Sequence, residues 1–283
     1  LTIGTNETTP SVSTTVPSIT GKIAGVLVGK TFNFYDGVIK GQSGAGTSIN
    51  GTITATPTGY GVRKTSSTVD SVTTETAVLV PANYAEYSGS TIVSYYETLA
   101  SATTYVTSGN TIKPLVNRTE TIEVTVTASK NITLDLNGKT ITLKNQTLKN
   151  NGTLTITGSG TLTGSGANTV TNAGTLTKTG TSKIINTSTS AYGAIGNTGT
   201  ATISAGTITS AYRTITNSNK LTMTGGTITG SDIAVNNSGT ATVTGGTITS
   251  TGKIGIYNTA EGKLTIGTNE TTPSVSTTVP SVI

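Results

Sequence analysis

Three stretches of this chain align without a gap: ATISAGTIT (Ala201–Thr209), LTMTGGTIT (Leu221–Thr229) and ATVTGGTIT (Ala241–Thr249), each starting 20 residues after the last. Ala201, Leu221 and Ala241 form one apolar column, Ile203, Met223 and Val243 a second, and Ile208, Ile228 and Ile248 a third. Between the columns stand Thr and Gly. Alternation of this kind sends apolar side chains to one face of a strand and Thr to the other. A single 20-residue unit cannot bury its apolar face, but stacked units can. The spacing therefore predicts three short strands per coil, with each coil hydrogen-bonded in parallel to the next about 4.8 Å away. The class is all-β, a parallel β-solenoid.

Outward from these units the period continues. An Asn recurs at Asn150, Asn172, Asn197, Asn217, Asn237 and Asn258. It is read as a structural turn ladder, because Asn tolerates left-handed backbone and its amide can bond the same Asn one coil away. TFNFYDGVIK (Thr31–Lys40) fits the same frame and puts Phe32, Phe34 and Ile39 in apolar columns. Lys178 falls in the column of Ile156 and Ile203. An inward ammonium is costly, so a local slip that turns it outward is the expectation.

Residues 62–112 break the period and are read as an irregular, non-solenoid insert. Ser94 and Glu97 have the spacing of a capping box, and Tyr96, Leu99, Thr103 and Val106 then share one helical face. A short helix near 95–107 is expected, covering a solenoid end whose bare strand edges invite aggregation.

The longest internal repeat is LTIGTNETTPSVSTTVPS, which occurs letter for letter at Leu1–Ser18 and Leu264–Ser281, an offset of 263 residues. The chain is read as one unit of a tandem array plus an overlap, cut out of phase with the fold. Residues 1–61 are coils that finish the preceding solenoid. Residues 62–112 are the insert, and 113–283 are coils whose last part, 264–283, is the counterpart of 1–20.

Composition narrows the chemistry. Of 283 residues 69 are Thr and 35 Gly, with no His, Cys or Trp and a net charge of +5 from scattered Lys. The lack of His and Cys removes the usual general base, thiol nucleophiles, common zinc sites and disulfides. No apolar run approaches the ~20 residues of a membrane span, and no dense basic patch suggests nucleic acid. Polysaccharide cleavage on a solenoid needs clustered carboxylates. The four Asp (36, 70, 135 and 232) and eight Glu form no pair at coil spacing, and Asp232 is the lone acid from 144 to 260. No catalytic residue, metal ligand or cofactor is assigned.

Two surface patterns offer binding roles. Tyr192 and Tyr212 lie one coil apart and are candidates for stacking on a sugar ring, or for a packed corner. The rows Thr207/Thr209, Thr227/Thr229 and Thr247/Thr249 resemble ice-binding arrays, but exposed Thr is also simply a good strand residue.

NITLDLNGKTITL (Asn131–Leu143) resembles a coil of the right-handed parallel β-helix surface proteins of Firmicutes and archaea, and NFYDGVIKG (Asn33–Gly41) is similar to their repeats. The resemblance implies a right-handed helix, an extracellular, cell-surface location and an adhesin-like or cell-wall-associated role. The expected function is a structural repeat of an extracellular fibre, stalk or surface filament. An adhesin module for glycan or neighbouring cells is the alternative, and a polysaccharide-degrading enzyme or ice-binding surface comes after it. The expected partner is the protein itself, through adjacent repeats and lateral filament contacts. Cell-wall or host glycans come second, and neither nucleic acid nor membrane is expected.

Overall fold

The computed structural model describes residues 1–4, 12–42, 47–190, 192–267 and 281–282. It is 58% strand, with one helix and about 11 turns of stacked parallel coils, a β-solenoid. Contacts divide it into two units, Leu1–Tyr105 and Val106–Ile283. None of the described helices is long and apolar enough to cross a membrane.

In the second unit each coil contributes a strand to three parallel faces. On the first face Ile132, Leu154, Leu176, Ala201, Leu221, Ala241 and Leu264 stand in register. On the second, Ile141, Leu162, Ile184, Ile208, Ile228 and Ile248 do so. On the third, Val124, Leu148, Val170, Ile195, Ile215, Val235 and Ile256 do so. The inward residues from Val124 to Ile248 in these columns are almost wholly buried. Each buried Ile or Leu contributes about 1.5–3 kcal/mol, so the columns dominate stability. The coil columns already include Ile112, opposite Leu134.

Coils are not all alike. Leu176 pairs with Ala201, 25 residues on, whereas Ala201 pairs with Leu221, 20 on. The longer coil has its own fittings. Gly193 N donates to Asn168 Oδ1 at 2.8 Å, and a Cβ on Gly196 would lie 2.4 Å from Asn168 Nδ2.

The first unit opens with parallel pairs of the same kind. Thr2–Ile3 pairs with Asn33–Phe34, Ser18–Gly21 with Val38–Gln42, and Ala24–Leu27 with Thr47–Asn50. Ile3, Val26, Phe32, Phe34, Ile39 and Ile49 form their core, with the two Phe rings stacked at 5.9 Å.

The segment expected to be irregular is instead regular. Tyr60–Val69 and Val72–Pro81 form an antiparallel hairpin. Its turn residues Asp70 and Ser71 both have positive φ, 48° and 64°, the backbone that two-residue hairpins require. Val72–Pro81 then runs antiparallel along Val38–Gln42. This strand covers an edge of the coil stack, and Val62, Ala77 and Leu79 join its core. Lys64 and the hydroxyl and amide of Ser48 all bond Glu75 at this junction. A second hairpin pairs Tyr84–Ser88 with Thr91–Tyr96. Inside it Tyr96 Oη donates to the buried Glu86 at 2.5 Å; burial first, and then this bond, raise the Tyr96 pKa.

The helix spans Leu99–Tyr105, shorter than the expected 95–107, and lies against the second hairpin. The expected cap at Ser94 and Glu97 is corrected. Ser94 belongs to a strand, and its Oγ accepts from Lys64 N at 3.2 Å. Thr98 caps the helix instead. Its Oγ1 accepts from Ser101 N at 3.1 Å while Ser101 Oγ accepts from Thr98 N at 3.4 Å, a reciprocal pair. Pairing with Tyr84–Ser88, which places Ser94 opposite Glu86 and Tyr96 opposite Tyr84, keeps Ser94 extended.

Candidate functional site

The Asn column is a continuous chain of side-chain hydrogen bonds. Asn150 Nδ2 donates to Asn172 Oδ1 at 2.6 Å, Asn172 to Asn197 at 2.7 Å, and Asn197 to Asn217 at 2.6 Å. Asn217 donates to Asn237 and Asn237 to Asn258, both at 2.7 Å. All six residues end strands of the third face, rather than occupying left-handed turns. The first five are buried. A buried amide must find partners, and each of these also bonds the turn that follows. Asn197 Nδ2, for example, reaches Gly199 O at 3.1 Å and Lys220 O at 2.9 Å. The column therefore ties the turn from the third face to the first face of the next coil.

One signal for this turn was missed in the sequence. Asn is followed two residues later by Gly at Gly152, Gly174, Gly199 and Gly239. A Cβ on Gly174 or Gly199 would lie 2.1 Å from the carbonyl oxygen of the glycine one coil earlier. Coils stack closely at these two glycines, whereas Asn219 carries a side chain at the corresponding place after Asn217.

Lys178 corrects the expected outward slip. It stays in register between Ile156 and Ile203 and is fully buried. Its Nζ donates to Thr179 O at 3.0 Å and Ala205 O at 3.1 Å. Gly206 makes the space, since a Cβ there would lie 2.2 Å from Nζ. Burial lowers the Lys178 pKa to about 8. The amine thus fills an apolar column by reaching carbonyl oxygens in the turn.

Tyr192 and Tyr212 do occupy one corner column, which continues through Asp232 and Lys253, as the register of the neighbouring strands places them. Tyr192 is 49% exposed, whereas Tyr212 is partly buried and carries the Arg213 guanidinium 5.4 Å from its ring centre. A cation over the ring occupies a face that a sugar would need. Below it Lys253 Nζ lies 2.7 Å from Asp232 Oδ1. The hydrogen bond from Lys253, helped by Tyr212, holds the Asp232 carboxyl below its usual range, and Asp232 raises Lys253 in return.

The acids are dispersed among separate partners. Asp135 pairs with Lys113 at 2.9 Å and Glu123 with Lys149 at 2.6 Å. Asp36 accepts from Ser13 N and Gly37 N as a turn residue. Among the described residues no three His, Cys, Asp or Glu gather where a metal could sit. The Thr rows Thr207/Thr227/Thr247 and Thr209/Thr229/Thr249 are in register. They end after three coils, because Lys183 and Ile185 stand in the preceding one.

No family model, curated protein or solved structure matches the chain.

Proposed function

We propose that this chain is the structural repeat of an extracellular fibre, stalk or surface filament built from tandem β-solenoid domains. The observation that carries the reading is that both copies of the duplicated segment begin with a coil strand, with neighbours on opposite sides. Thr2 and Ile3 pair with Asn33 and Phe34, which follow them in the chain. Thr265 and Ile266, the same residues 263 positions on, pair with Thr242 and Val243, which precede them. One segment with a coil on each side is an interior coil of a longer stack. Backbone bonds along the axis, a dry core and a Thr-coated surface then supply stiffness and solubility rather than chemistry. The dispersal of the acids into separate ion pairs supports a non-catalytic role. The likeness of Asn131–Leu143 to β-helix surface proteins of Firmicutes and archaea supports the cell surface as the setting.

Electron micrographs of the native assembly test this. Thin filaments with an axial repeat of roughly 45 Å, from nine or ten coils at about 4.8 Å each, are the expected result. Compact particles without an axial repeat overturn it. A second reading, an adhesive face for cell-wall or host glycans, draws on the exposed ring of Tyr192. A glycan array probed with the wild-type chain and with Tyr192→Ala separates the two, since only adhesion predicts a signal that the substitution removes.

A further inference from the structure

The tandem reading accounts for two of the three solenoid faces through the duplicated segment. The third face has no duplicated strand, and the two of its four edge strands that chain order turns toward neighbouring copies lie at different places in the chain. One is the strand Ile254–Asn258, which pairs with Ile233–Asn237 on its earlier side. The other is Ala24–Leu27, which pairs with Thr47–Asn50 on its later side. Both bare edges carry exposed apolar side chains. Ile254 is 37% and Tyr257 48% exposed on one, while Leu27 is 75% exposed on the other and Ile23, just before it, 79%. A recess of about 410 Å³ beside the second edge is lined by Leu1, Val26, Leu27, Val28 and Phe32 among others.

We propose that these two edges are one interface: Ile254–Asn258 of one copy pairs in parallel with Ala24–Leu27 of the next copy, closing the seam between repeats. The partner is a second copy of this chain, and the proposal rests on the tandem reading. Shared chain order sets the geometry. Moved by the 263-residue period, Ala24 follows the coil of Ile254 just as Phe34 follows Ile266.

The inward positions set the register. In the third face the buried column runs through Val235 and Ile256, and in the first unit it runs through Val26 and Ile49. Matching them places Ile256 opposite Val26, Ile254 opposite Ala24 and Tyr257 opposite Leu27. The two most exposed apolar residues of the paired strands then meet in one outward column. Asn258 falls opposite Val28, which has no side-chain amide to continue the ladder. Asn258 Nδ2 bonds Thr259 O and Gly262 O, at 3.4 and 2.7 Å. The Asn chain ends at the seam because the next copy places an apolar residue there.

The same logic explains one residue in two states. Ile3, with the Phe34 coil behind it, is 6% exposed, whereas the identical Ile266 is 52% exposed. In the joined copies a single isoleucine has Val243 on one side and Phe34 on the other, and the exposure is gone.

The chain has no cysteine, so a thiol pair reports the seam cleanly. Two full 263-residue units are joined through their shared segment, with Tyr257→Cys in the first and Leu27→Cys in the second. Directly opposed strand residues lie within reach of a disulfide or a short bifunctional thiol reagent. Cross-linking within one molecule, independent of dilution, is expected in most of the protein. Moving the second cysteine one coil further, to Asn50, is expected to lower the yield at least tenfold. Equal yields from the two pairs overturn the seam. Circular dichroism confirms folding, and all three positions are exposed, so the substitutions leave the core intact. Native filaments with no Tyr257–Leu27 cross-link sink the seam and leave the fibre standing. A clean cross-link with no native filaments supports the seam and sinks the fibre.

Discussion

Lys178 Nζ donates to the carbonyl oxygen of Ala205 at 3.1 Å, binding one coil to the next from inside the apolar column. Its pKa is lowered to about 8 by burial, below the value it has in the unfolded chain. At pH values under about 8 both states are protonated and the folded state bears the full desolvation cost. As pH rises from about 8 to about 10.5 the folded amine is neutral while the unfolded one still binds a proton. Stability therefore increases across that window, by on the order of 3 kcal/mol.

Lys178→Met removes that pH dependence, since Met already serves the same column at Met223. At pH 7 the variant is expected to be more stable by about 1–2 kcal/mol, because a packed apolar side chain outperforms a buried charge. Urea melts of both proteins from pH 7 to 10.5 check this. Parallel curves would mean that Lys178 titrates as an ordinary exposed lysine.

Asn217→Ala cuts the side-chain ladder in its middle. Asn197 loses an acceptor and Asn237 loses a donor, both within the buried column. The expected cost is about 2–4 kcal/mol, for the two ladder bonds, the two long bonds to Asn219 O and Thr240 O, and polar atoms left unmatched. Asn258→Ala, at the exposed end of the ladder, is expected to cost less than about 1 kcal/mol. Equal effects in denaturant melts would show that the ladder adds nothing beyond each residue's own turn.

Thr98→Ala is expected to destabilise the first unit by about 1 kcal/mol through loss of the helix cap. Glu97→Ala is expected to stay within about 0.5 kcal/mol. A larger effect from Glu97 would restore the capping box that the sequence suggests.

Lys253→Ala is expected to raise the Asp232 pKa toward the ordinary carboxylate value, because Lys253 is the first cause of its lowering. In the wild type this pair adds stability that is present above the unfolded carboxylate pKa and lost as pH falls through the folded one. The variant loses that acid-side dependence. A carboxyl-carbon NMR titration of Asp232 reads the shift directly, and an unmoved midpoint would rule out the pairing.

Much of this was legible because solenoid coils write their geometry directly into the sequence. A column such as Ile208, Ile228 and Ile248 has one inward direction and one spacing, so period alone locates its strands. The Asn column was readable for the same reason, though its strand backbone was not, because Asn favours turns locally and only burial between coils keeps it extended. The inward course of Lys178 was hidden by the rule that charges avoid apolar columns. What satisfies it is a pair of carbonyl oxygens and the space at Gly206, and backbone partners leave no residue pattern. The insert went unread for a different reason. Its sign is the Asp70–Ser71 turn between two β-branched runs, Tyr60–Val69 and Val72–Pro81, neither of which alternates cleanly enough to declare a strand. At the corner, the spacing of Tyr192 and Tyr212 was visible, but not the placement of Arg213 over the second ring.

Near-identical coils carry a hazard that ordinary folds lack: a chain threaded one coil out of step keeps every apolar column filled. The odd coil between Leu176 and Ala201 guards against this. Gly196 sits against the Asn168 amide, and the positions that correspond to it in the next coils are Thr216, Asn236 and Tyr257. A misthreaded chain that brings Thr216 there also brings Arg213 to the place of Gly193, so a side chain meets the Asn168 amide and that amide must move. One glycine and one asparagine thus mark this coil as different from its neighbours, and a wrong start is expected to meet a misfit here that the other coils would not raise.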